Sequence, residues 1–265
     1  MKTVWITGAS DGIGKALAQA WAKQEVNLVL SARREDKLRE VAQSLGISEN
    51  RYLVLPLDLE QLAEEEKLVQ QVLEKFGKID ILVNNAALNQ KSLAIETEQS
   101  VERKLMEVNF FGTIALSKAV AKQMQKQLSG QIVLISSIVA KYGNPFLSTY
   151  AASKHALDGY FESWRYELEK FKIQVTIVTP GFINTDLGKK ALLANGRELG
   201  GQGSATTQNF GMNPTICAQK IIKAVNAGKK HSYIGGVEIL FPYLRFLFPS
   251  LFYLIIKRLH KTGDS

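Results

Sequence analysis

A tyrosine and a lysine stand four residues apart in the segment STYAASKHAL, residues 148–157. Side chains at this spacing meet on one face of a helix. A free phenol has a pKa of about 10, which is too high for easy proton exchange at neutral pH. A neighbouring ammonium stabilises the phenolate, so we expect Lys154 to lower the pKa of Tyr150 and to make it a catalytic acid and base. The alternative interpretation is an ordinary polar pair on a helix surface.

Two more polar residues are candidates for the same chemistry. Ser137 follows an apolar, strand-like segment, and its hydroxyl could polarise a carbonyl or hold a developing alkoxide. Its neighbour Ser136 would point to the opposite side, because side chains alternate along a strand. Asn109 falls inside a stretch, about 97–128, that we predict to be helical, and asparagine is a poor helix former. The alternatives are a strand-end cap for Ser137 and a hydrogen-bonded buried amide for Asn109.

A glycine-rich turn, TGASDGIG at residues 7–14, links the first predicted strand to the first predicted helix. Such a turn lets the backbone approach a pyrophosphate, and the helix N-terminus offers free N–H groups and the positive end of a dipole. The context favours a dinucleotide site over a purely geometric turn. The predicted ligands are Gly8, Ser10, Asp11, Gly12, Ile13 and Gly14.

The end of the second predicted strand reads SARRED and decides which dinucleotide is expected. An acidic residue there would take the ribose 2′-hydroxyl of NAD, but this chain has Arg33 and Arg34. Two guanidinium groups suit a 2′-phosphate, although a solvated basic pair at a helix start is the alternative. Asp11 adds a negative charge nearby and counts against a phosphate. We therefore predict NADP(H), with NAD(H) as the alternative.

Two weaker signals accompany this site. Asp58 could hold the adenine amino group or cap the helix that follows it. Asn85 and Ala86 belong to the small-residue segment NNAA, residues 84–87, which would let a ligand lie against the backbone.

Six short apolar segments alternate with amphipathic stretches of a dozen residues or more. The segments are nearly continuous in hydrophobicity, as strands buried on both faces should be. This alternation predicts one α/β domain over residues 1–265, with a parallel sheet covered by helices on both sides. The predicted strands are 3–7, 26–31, 52–57, 79–84, 131–136 and 173–179, followed after a less regular region by a helix at about 214–227 and a short strand near residue 234.

Composition narrows the function classes. The 265 residues are 46% apolar and 22% charged, which is typical of a globular protein. The single cysteine, Cys217, allows no intrachain disulfide and predicts a reducing, cytoplasmic setting. The net charge is +8, but the basic residues are interspersed with acidic ones and no nucleic-acid motif is present, so we expect no nucleic-acid partner. The three histidines lack ligand spacing, and we predict no metal site.

Two C-terminal regions bear on the substrate. We expect residues 187–214, which include a segment rich in Gly, Ser, Thr and Gln, to form a mobile substrate loop. The tail at 237–260 is strongly apolar, but Pro242, Arg245 and Pro249 interrupt it and argue against a spanning helix. Either it forms a subunit interface or pocket wall, or it contacts a membrane surface as a peripheral segment.

Together the motifs TGxxxGxG, NNAA, VNFFG, ISS and YAASK resemble those of the short-chain dehydrogenase/reductase family in order and approximate spacing. The match runs from residue 3 to about 187, and the tail looks most like the dehydrogenase/reductase SDR family member 7 branch. The resemblance implies a doubly wound, Rossmann-type sheet of about seven strands. It also implies assembly as a homodimer or homotetramer.

The resemblance implies roles for individual residues as well. Ser137, Tyr150 and Lys154 would form the catalytic set, and Asn109 would hold a water that feeds protons to Lys154. Tyr150 and Lys154 would also contact the cofactor, with the lysine on the nicotinamide ribose. The turn at Pro180 and Gly181 would cover the nicotinamide, and Ile183 and Thr185 would hold its carboxamide. The family's NNAG ends here in Ala87, which would tighten the site.

These observations predict an NADP(H)-dependent oxidoreductase that interconverts a carbonyl and a secondary alcohol on a hydrophobic substrate. The main alternative is a catalytically silent cofactor-binding regulatory or scaffold protein of the same fold. An epimerase or dehydratase on that fold is a further possibility.

Overall fold

Seven parallel strands form one sheet in the computed structural model, which describes residues 1–62, 64–200 and 211–261, without the side chains of 260 and 261. The spatial order of the strands is β3-β2-β1-β4-β5-β6-β7. The strands are β1 (Lys2–Thr7), β2 (Val26–Ser31), β3 (Tyr52–Val54), β4 (Ile81–Asn84), β5 (Gly130–Ile135), β6 (Ile173–Pro180) and β7 (His231–Ile234). The predicted seven-stranded Rossmann-type fold is confirmed, and the strand order reverses between β1 and β4.

Helices cover both faces of the sheet. They are α1 (Gly12–Ala22), α2 (Glu35–Ser44), α3 (Glu65–Phe76), α4 (Gln99–Met106), α5 (Thr113–Gln127), α6 (Ser148–Leu168), α7 (Pro214–Asn226), α8 (Phe241–Leu247) and α9 (Pro249–Lys261). Consecutive side chains of β1 show why apolar runs make such strands. Val4 and Ile6 enter the core beneath α1 and α7, while Trp5 between them enters the core beneath α3, α5 and α6.

Two predicted elements differ from the structure. The regular strand is shorter than the predicted 52–57 and ends at Val54, although the N–H groups of Leu55 and Leu57 still donate to the carbonyls of Leu30 and Ala32 beyond it. The single helix predicted over 97–128 is divided into α4 and α5 by a π-helical turn, Glu107–Gly112. That turn contains Asn109, so the asparagine marks an interruption of the helix.

The predicted substrate loop is only partly described, since residues 201–210 lie outside the described residues. Its first part is attached to the body of the protein. Leu192 forms a parallel bridge with Gln90, and its N–H donates to the carbonyl of Asn89 at 2.8 Å.

The apolar tail forms two short helices, α8 and α9, which pack against one another. Phe252 of α9 is buried against Tyr142 and Phe241. Within the described part of the chain, none of the helices has both the length and the apolarity that crossing a bilayer requires.

Candidate active site

A crevice of about 310 Å³ opens at the carboxyl ends of the strands where their order reverses. Ligands of open α/β sheets bind at such a switch point. Eleven of the predicted cofactor residues line the crevice. They are Gly8, Ser10, Asp11, Gly12, Ile13, Arg33, Arg34, Asp58, Asn85, Ala86 and Thr185.

The glycine turn has the backbone geometry that a pyrophosphate site needs. Gly8 and Gly12 have φ of 65° and 52°, values that side chains with a Cβ rarely adopt. A Cβ on Gly14 would overlap the carbonyl of Gly8, so the helix could not approach the strand as closely. Asn85 holds the other side, because its amide nitrogen donates to the Thr7 carbonyl at 2.9 Å. The residues present therefore fit a bound dinucleotide phosphate.

The basic end of the crevice contains more charge than the sequence motif alone indicated. Arg33 and Arg34 are exposed and face the same crevice as Asp11 and Lys190. Lys190 forms an ion pair with Asp11, whose other oxygen caps α1 by accepting from the Gly12 N–H at 2.7 Å. Burial raises the pKa of Asp11, but the bonds from Lys190 and Gly12 outweigh it and hold the pKa below its ordinary value. The negative charge that counted against a 2′-phosphate is thus paired.

Tyr150 is buried at the N-terminal end of α6, next to the end of β5. Burial raises its pKa above the ordinary value for a phenol, and a hydrogen bond from the Ser137 hydroxyl offsets this only in part. The expected net lowering of the Tyr150 pKa is not found, because desolvation of the phenol outweighs the contacts that stabilise its phenolate. Tyr150 therefore keeps its proton at neutral pH.

Lys154 lies one turn further along α6, with its Nζ 5.9 Å from the centre of the Tyr150 ring. The side chain is 3% exposed, and its Nζ donates to the Ile135 carbonyl at 2.9 Å. Burial lowers the pKa of Lys154 to about 8, although the charge of Asp158 acts in the opposite direction. The ammonium form is thus retained near neutrality with a small margin.

Asp158, one further turn along α6, is a buried carboxylate that the motif analysis missed. Lys141 pairs with it at 2.7 Å, and the Ser136 hydroxyl donates to its second oxygen. Burial lowers the pKa of Lys141, but the bond to Asp158 outweighs it and the pKa is raised. Ser136 and Ser137 have different partners: Ser137 bonds to Tyr150, and its oxygen also accepts from the Val139 N–H at 3.4 Å.

Asn109 is fully buried, and its amide is hydrogen-bonded on both sides. Its oxygen accepts from the N–H of Leu88 at 2.7 Å, and its nitrogen donates to the Leu88 carbonyl and to the Ser153 hydroxyl, each at 3.0 Å. The π-helical turn thus connects the loop after β4 to α6. In this arrangement Asn109 fixes the crevice wall against the helix that carries Tyr150.

Gln90 is a second residue that sequence reasoning missed. Position 147, which precedes α6, supplies no side-chain cap. Instead the Gln90 oxygen accepts from the N–H groups of Thr149 and Tyr150 at 2.9 and 3.3 Å. Since these donors have no partner inside the helix, a fully buried glutamine fixes the backbone of Tyr150. A cap provided from so far along the chain leaves no local sequence signal.

The turn after β6 is held by a third missed residue, Glu238. This buried carboxylate accepts from the N–H groups of Phe182 and Gly236 at 2.9 and 3.0 Å. It occupies the space beside Gly181, where an added Cβ would overlap its Oε1. The turn at Pro180 and Gly181 is therefore tied to the start of the tail.

Several predicted residues lie outside the crevice lining. Gly14 packs beneath the turn, and Tyr150 and Lys154 lie further along the sheet edge with Ser137 and Asn109. Pro180, Gly181 and Ile183 are also outside it, whereas Thr185 lines it and contacts the glycine turn. Ala87, the departure from the family motif, is a wall residue. Asp58 lines the crevice, but it does not cap the following helix: it accepts from the Glu60 N–H at 3.0 Å in the turn before α3, which begins only at Glu65.

Comparison with known proteins agrees with this geometry. The family model of short chain dehydrogenases matches residues 2–195. A protein of Anopheles gambiae named dehydrogenase/reductase SDR family protein 7-like is 39% identical over 263 residues, covering 97% of this chain and 82% of its own. These matches show that the chain belongs to the short-chain dehydrogenase/reductase family and is an enzyme of that class. Within the family it lies in the dehydrogenase/reductase SDR family member 7 branch.

Solved structures support the same fold. A short chain dehydrogenase/reductase from Burkholderia phymatum in complex with NAD superposes with a TM-score of 0.83 at 22% identity, covering 94% of each chain. An alcohol dehydrogenase from Thermococcus sibiricus complexed with 5-hydroxy-NADP gives 0.76 at 23% identity, covering 90% of this chain and 97% of its own.

Proposed function

We propose that this chain is an NADP(H)-dependent oxidoreductase that interconverts a carbonyl and a secondary alcohol on a hydrophobic substrate. The observation that carries the proposal is that the buried Tyr150 and Lys154 and the half-buried Ser137 stand together beside a crevice with a glycine-rich phosphate turn. A phenol, a hydroxyl and an ammonium at one sheet edge suit the movement of a proton to or from a substrate oxygen.

Tyr150 acts as the proton donor in the reducing direction. Its raised pKa keeps the phenol protonated, so it can give a proton to an oxygen on which negative charge develops. Ser137 donates its one hydroxyl proton to Tyr150 in the structure, and turning that O–H to the substrate oxygen would let it steady the developing charge. Lys154 holds a positive charge beside the phenol and stabilises the phenolate left after transfer. The nicotinamide, when bound, supplies or accepts the hydride.

The preference for NADP(H) rests on the charges around the basic end of the crevice. Arg33 and Arg34 are exposed there, and Lys190 neutralises Asp11. Residues 32–34, which follow β2 directly, include no acidic side chain that could accept a hydrogen bond from a ribose 2′-hydroxyl. The Burkholderia protein contains NAD and the Thermococcus protein an NADP derivative, so the fold accommodates either cofactor.

The catalytic role is tested with Tyr150→Phe. The variant should bind NADPH as the wild type does, since only one hydroxyl is lost, but its rate of carbonyl reduction should fall by about 10²–10⁴-fold. Tyr160→Phe is the matched control, because Tyr160 lies on the same helix but packs against Phe110 and Trp164, outside the cluster of Tyr150. If wild type and Tyr150→Phe consume NADPH equally slowly with every lipid, steroid and aromatic carbonyl tried, the result would favour a catalytically silent scaffold protein. Substrate conversion without net nicotinamide oxidation would instead indicate an epimerase or dehydratase.

The cofactor preference is tested with Arg33→Ala and Arg34→Ala, separately and together. NADPH affinity should weaken by about tenfold or more, as for loss of a charge-assisted hydrogen bond, while NADH affinity stays the same. Arg39→Ala, an exposed arginine paired with Glu35 on α2, is the control for general charge loss. Equal weakening of both cofactors would contradict the preference.

The substrate class rests on the apolar tail next to Tyr150. Ile138, Val139, Tyr142 and Phe252 pack with Tyr150 in one buried cluster, so the surroundings of the proton donor are apolar and suit an apolar substrate. A panel of lipid, steroid and bulky aromatic carbonyls should be reduced with NADPH. Turnover of small polar carbonyls alone would overturn this part of the proposal.

Assembly and location complete the proposal. We expect the protein to assemble as a homodimer or homotetramer. We also expect a reducing, cytoplasmic compartment, because the single cysteine, Cys217, is free and buried. Analytical ultracentrifugation would give the subunit number, and fractionation of cells expressing the chain would give the location.

A further inference from the structure

The outward surface of the C-terminal hairpin, formed by α8 and α9, is apolar and uncovered. On α8, the exposed residues Tyr243, Phe246 and Leu247 follow helical spacing and share one side. Leu251 and Leu254 do the same on α9. Phe246 is 85% exposed, so this large aromatic residue contributes almost nothing to the core of the protein.

The inward surface of the same hairpin is well packed. Phe241 and Phe252 contact each other and Tyr142, with ring centres 6.1 and 5.1 Å from Tyr142. This cluster also includes Tyr150. The hairpin is therefore a fixed part of the fold next to the proposed active site, and its outer apolar residues are not there to fill a core.

The charges on the hairpin have one sign. The exposed charged residues of the described segment 237–259 are Arg245, Lys257 and Arg258, and its one acidic residue, Glu238, is buried. On α9, Lys257 and Arg258 stand one turn beyond Leu254. Long basic side chains beside aromatic and leucine residues are typical of segments that lie in the interface of an anionic membrane.

A second copy of this chain is a poorer occupant of the same surface. A two-fold contact would place the basic residues of one hairpin against those of the other. No exposed carboxylate of the described hairpin is present to offset this repulsion. An anionic lipid surface instead complements both the charge and the apolar character.

We propose that the outer surface of α8 and α9 docks on an anionic membrane surface as a peripheral, non-spanning contact. The apolar side chains enter the interfacial layer, and Lys257 and Arg258 contact lipid phosphates. The bilayer then lies against the side of the molecule that carries Tyr150. Membrane docking does not depend on the proposed enzymatic activity, because vesicle binding is measured without substrate or cofactor turnover.

The test is co-sedimentation of the full chain with vesicles of phosphatidylcholine alone or with about 30% phosphatidylserine. The protein should bind the anionic vesicles, and binding should weaken at high salt. Phe246→Glu with Leu247→Glu should lower the partition coefficient by about tenfold or more. Tyr166→Glu, a charge placed on an exposed aromatic residue of α6, should leave it unchanged.

The charge contribution is tested separately. Lys257→Gln and Arg258→Gln should each weaken binding to anionic vesicles by about fivefold and leave binding to neutral vesicles unchanged. If the double glutamate variant does not fold, the single exchange Phe246→Ser serves in its place. Circular dichroism and NADPH binding report folding in each case.

Two outcomes would overturn the proposal. One is equal sedimentation with and without anionic vesicles for the folded wild type. The other is that the wild type does not bind vesicles and the hairpin variants form assemblies with fewer subunits. The outer surface of α8 and α9 would then be a subunit interface. Loss of carbonyl reduction with vesicle binding intact would count against the proposed function only.

Discussion

Two aspartate–lysine pairs flank the proposed site, and they differ mainly in burial. Asp158 pairs with Lys141 at 2.7 Å, and the carboxylate is 6% exposed. Asp11 pairs with Lys190, but these side chains are 40% and 38% exposed. The first pair lies behind the catalytic residues and the second at the mouth of the crevice.

The difference determines what each pair can control. A buried charge interacts strongly with its neighbours because little solvent screens it, and Asp158 raises the pKa of Lys154. A half-exposed pair is screened, contributes little to stability and can exchange partners. We therefore expect the Asp158 pair to govern folding and proton transfer, and the Asp11 pair to affect only the cofactor.

The largest expected effect comes from breaking the buried pair. Asp158→Asn leaves Lys141 without its partner and removes the counter-charge near Lys154, so the free energy of unfolding should fall by about 3–5 kcal/mol. Urea denaturation measures the change. Asp186→Asn, which breaks the exposed pair with Lys189, is the control and should cost less than about 1 kcal/mol. Equal losses of stability in Asp158→Asn and Asp186→Asn would show that burial does not determine how much an ion pair contributes.

The next effect is a dependence of stability on alkaline pH. The pKa of Lys154 is about 8 in the folded protein and near 10.5 in the unfolded chain, so between these values the unfolded chain binds more protons. The burial cost of the ammonium is therefore fully present below pH 8 and is relieved as the pH rises, by about 3 kcal/mol at about 1.4 kcal/mol per pKa unit.

The measurement compares wild type with Lys154→Met. The difference between their unfolding free energies should shift in favour of the wild type between about pH 7 and 10.5. Subtraction cancels the tyrosines and surface lysines that titrate in both proteins. A constant difference would mean that Lys154 is not desolvated.

A smaller effect should appear in the pH profile of the reaction. Because Asp158 raises the pKa of Lys154, Asp158→Asn should move the alkaline limb of kcat/KM to lower pH. The assay uses NADPH and an active carbonyl at temperatures where the variant is folded. An unmoved limb together with lower stability would leave Asp158 a purely structural residue.

The smallest effect is expected at the exposed pair. Asp11→Asn keeps the cap on α1, since the amide oxygen can accept from the Gly12 N–H, and it frees Lys190 for a phosphate. NADPH should bind a few-fold more tightly relative to NADH, with stability changed by less than about 1 kcal/mol. Fluorescence titration with both cofactors measures the ratio. Weaker binding of NADPH would show that the ion pair itself shapes the site.

The sequence was sufficient for features that depend on local patterns. Runs of valine, isoleucine and leucine predicted the buried strands, and the glycines of the turn predicted the close approach of backbone that the positive φ at Gly8 and Gly12 allows. It was not sufficient for partners distant along the chain. Gln90 caps α6 from a position 59 residues before Thr149, and Glu238 secures a turn 56 residues earlier, at Phe182.

Burial was the other quantity that the sequence could not supply. The spacing of Tyr150 and Lys154 correctly placed them on one helix, but the direction of the pKa shift of Tyr150 depends on how much water surrounds the phenol. The hairpin shows the same limit, since its composition allowed a pocket wall or a membrane contact. Only the structure separates its packed side from its exposed side.

The π-helical turn at Glu107–Gly112 has a consequence for insertions and deletions. A π turn holds one residue more than the α-helical turn it replaces. Removing one residue there would let α4 and α5 fuse into a regular helix and rotate Asn109 by about 100°, away from Leu88 and Ser153. The helix would remain, but the hydrogen bonds that join the crevice wall to α6 would be lost. The number of residues in this turn is therefore more tightly constrained than helix propensity alone would require.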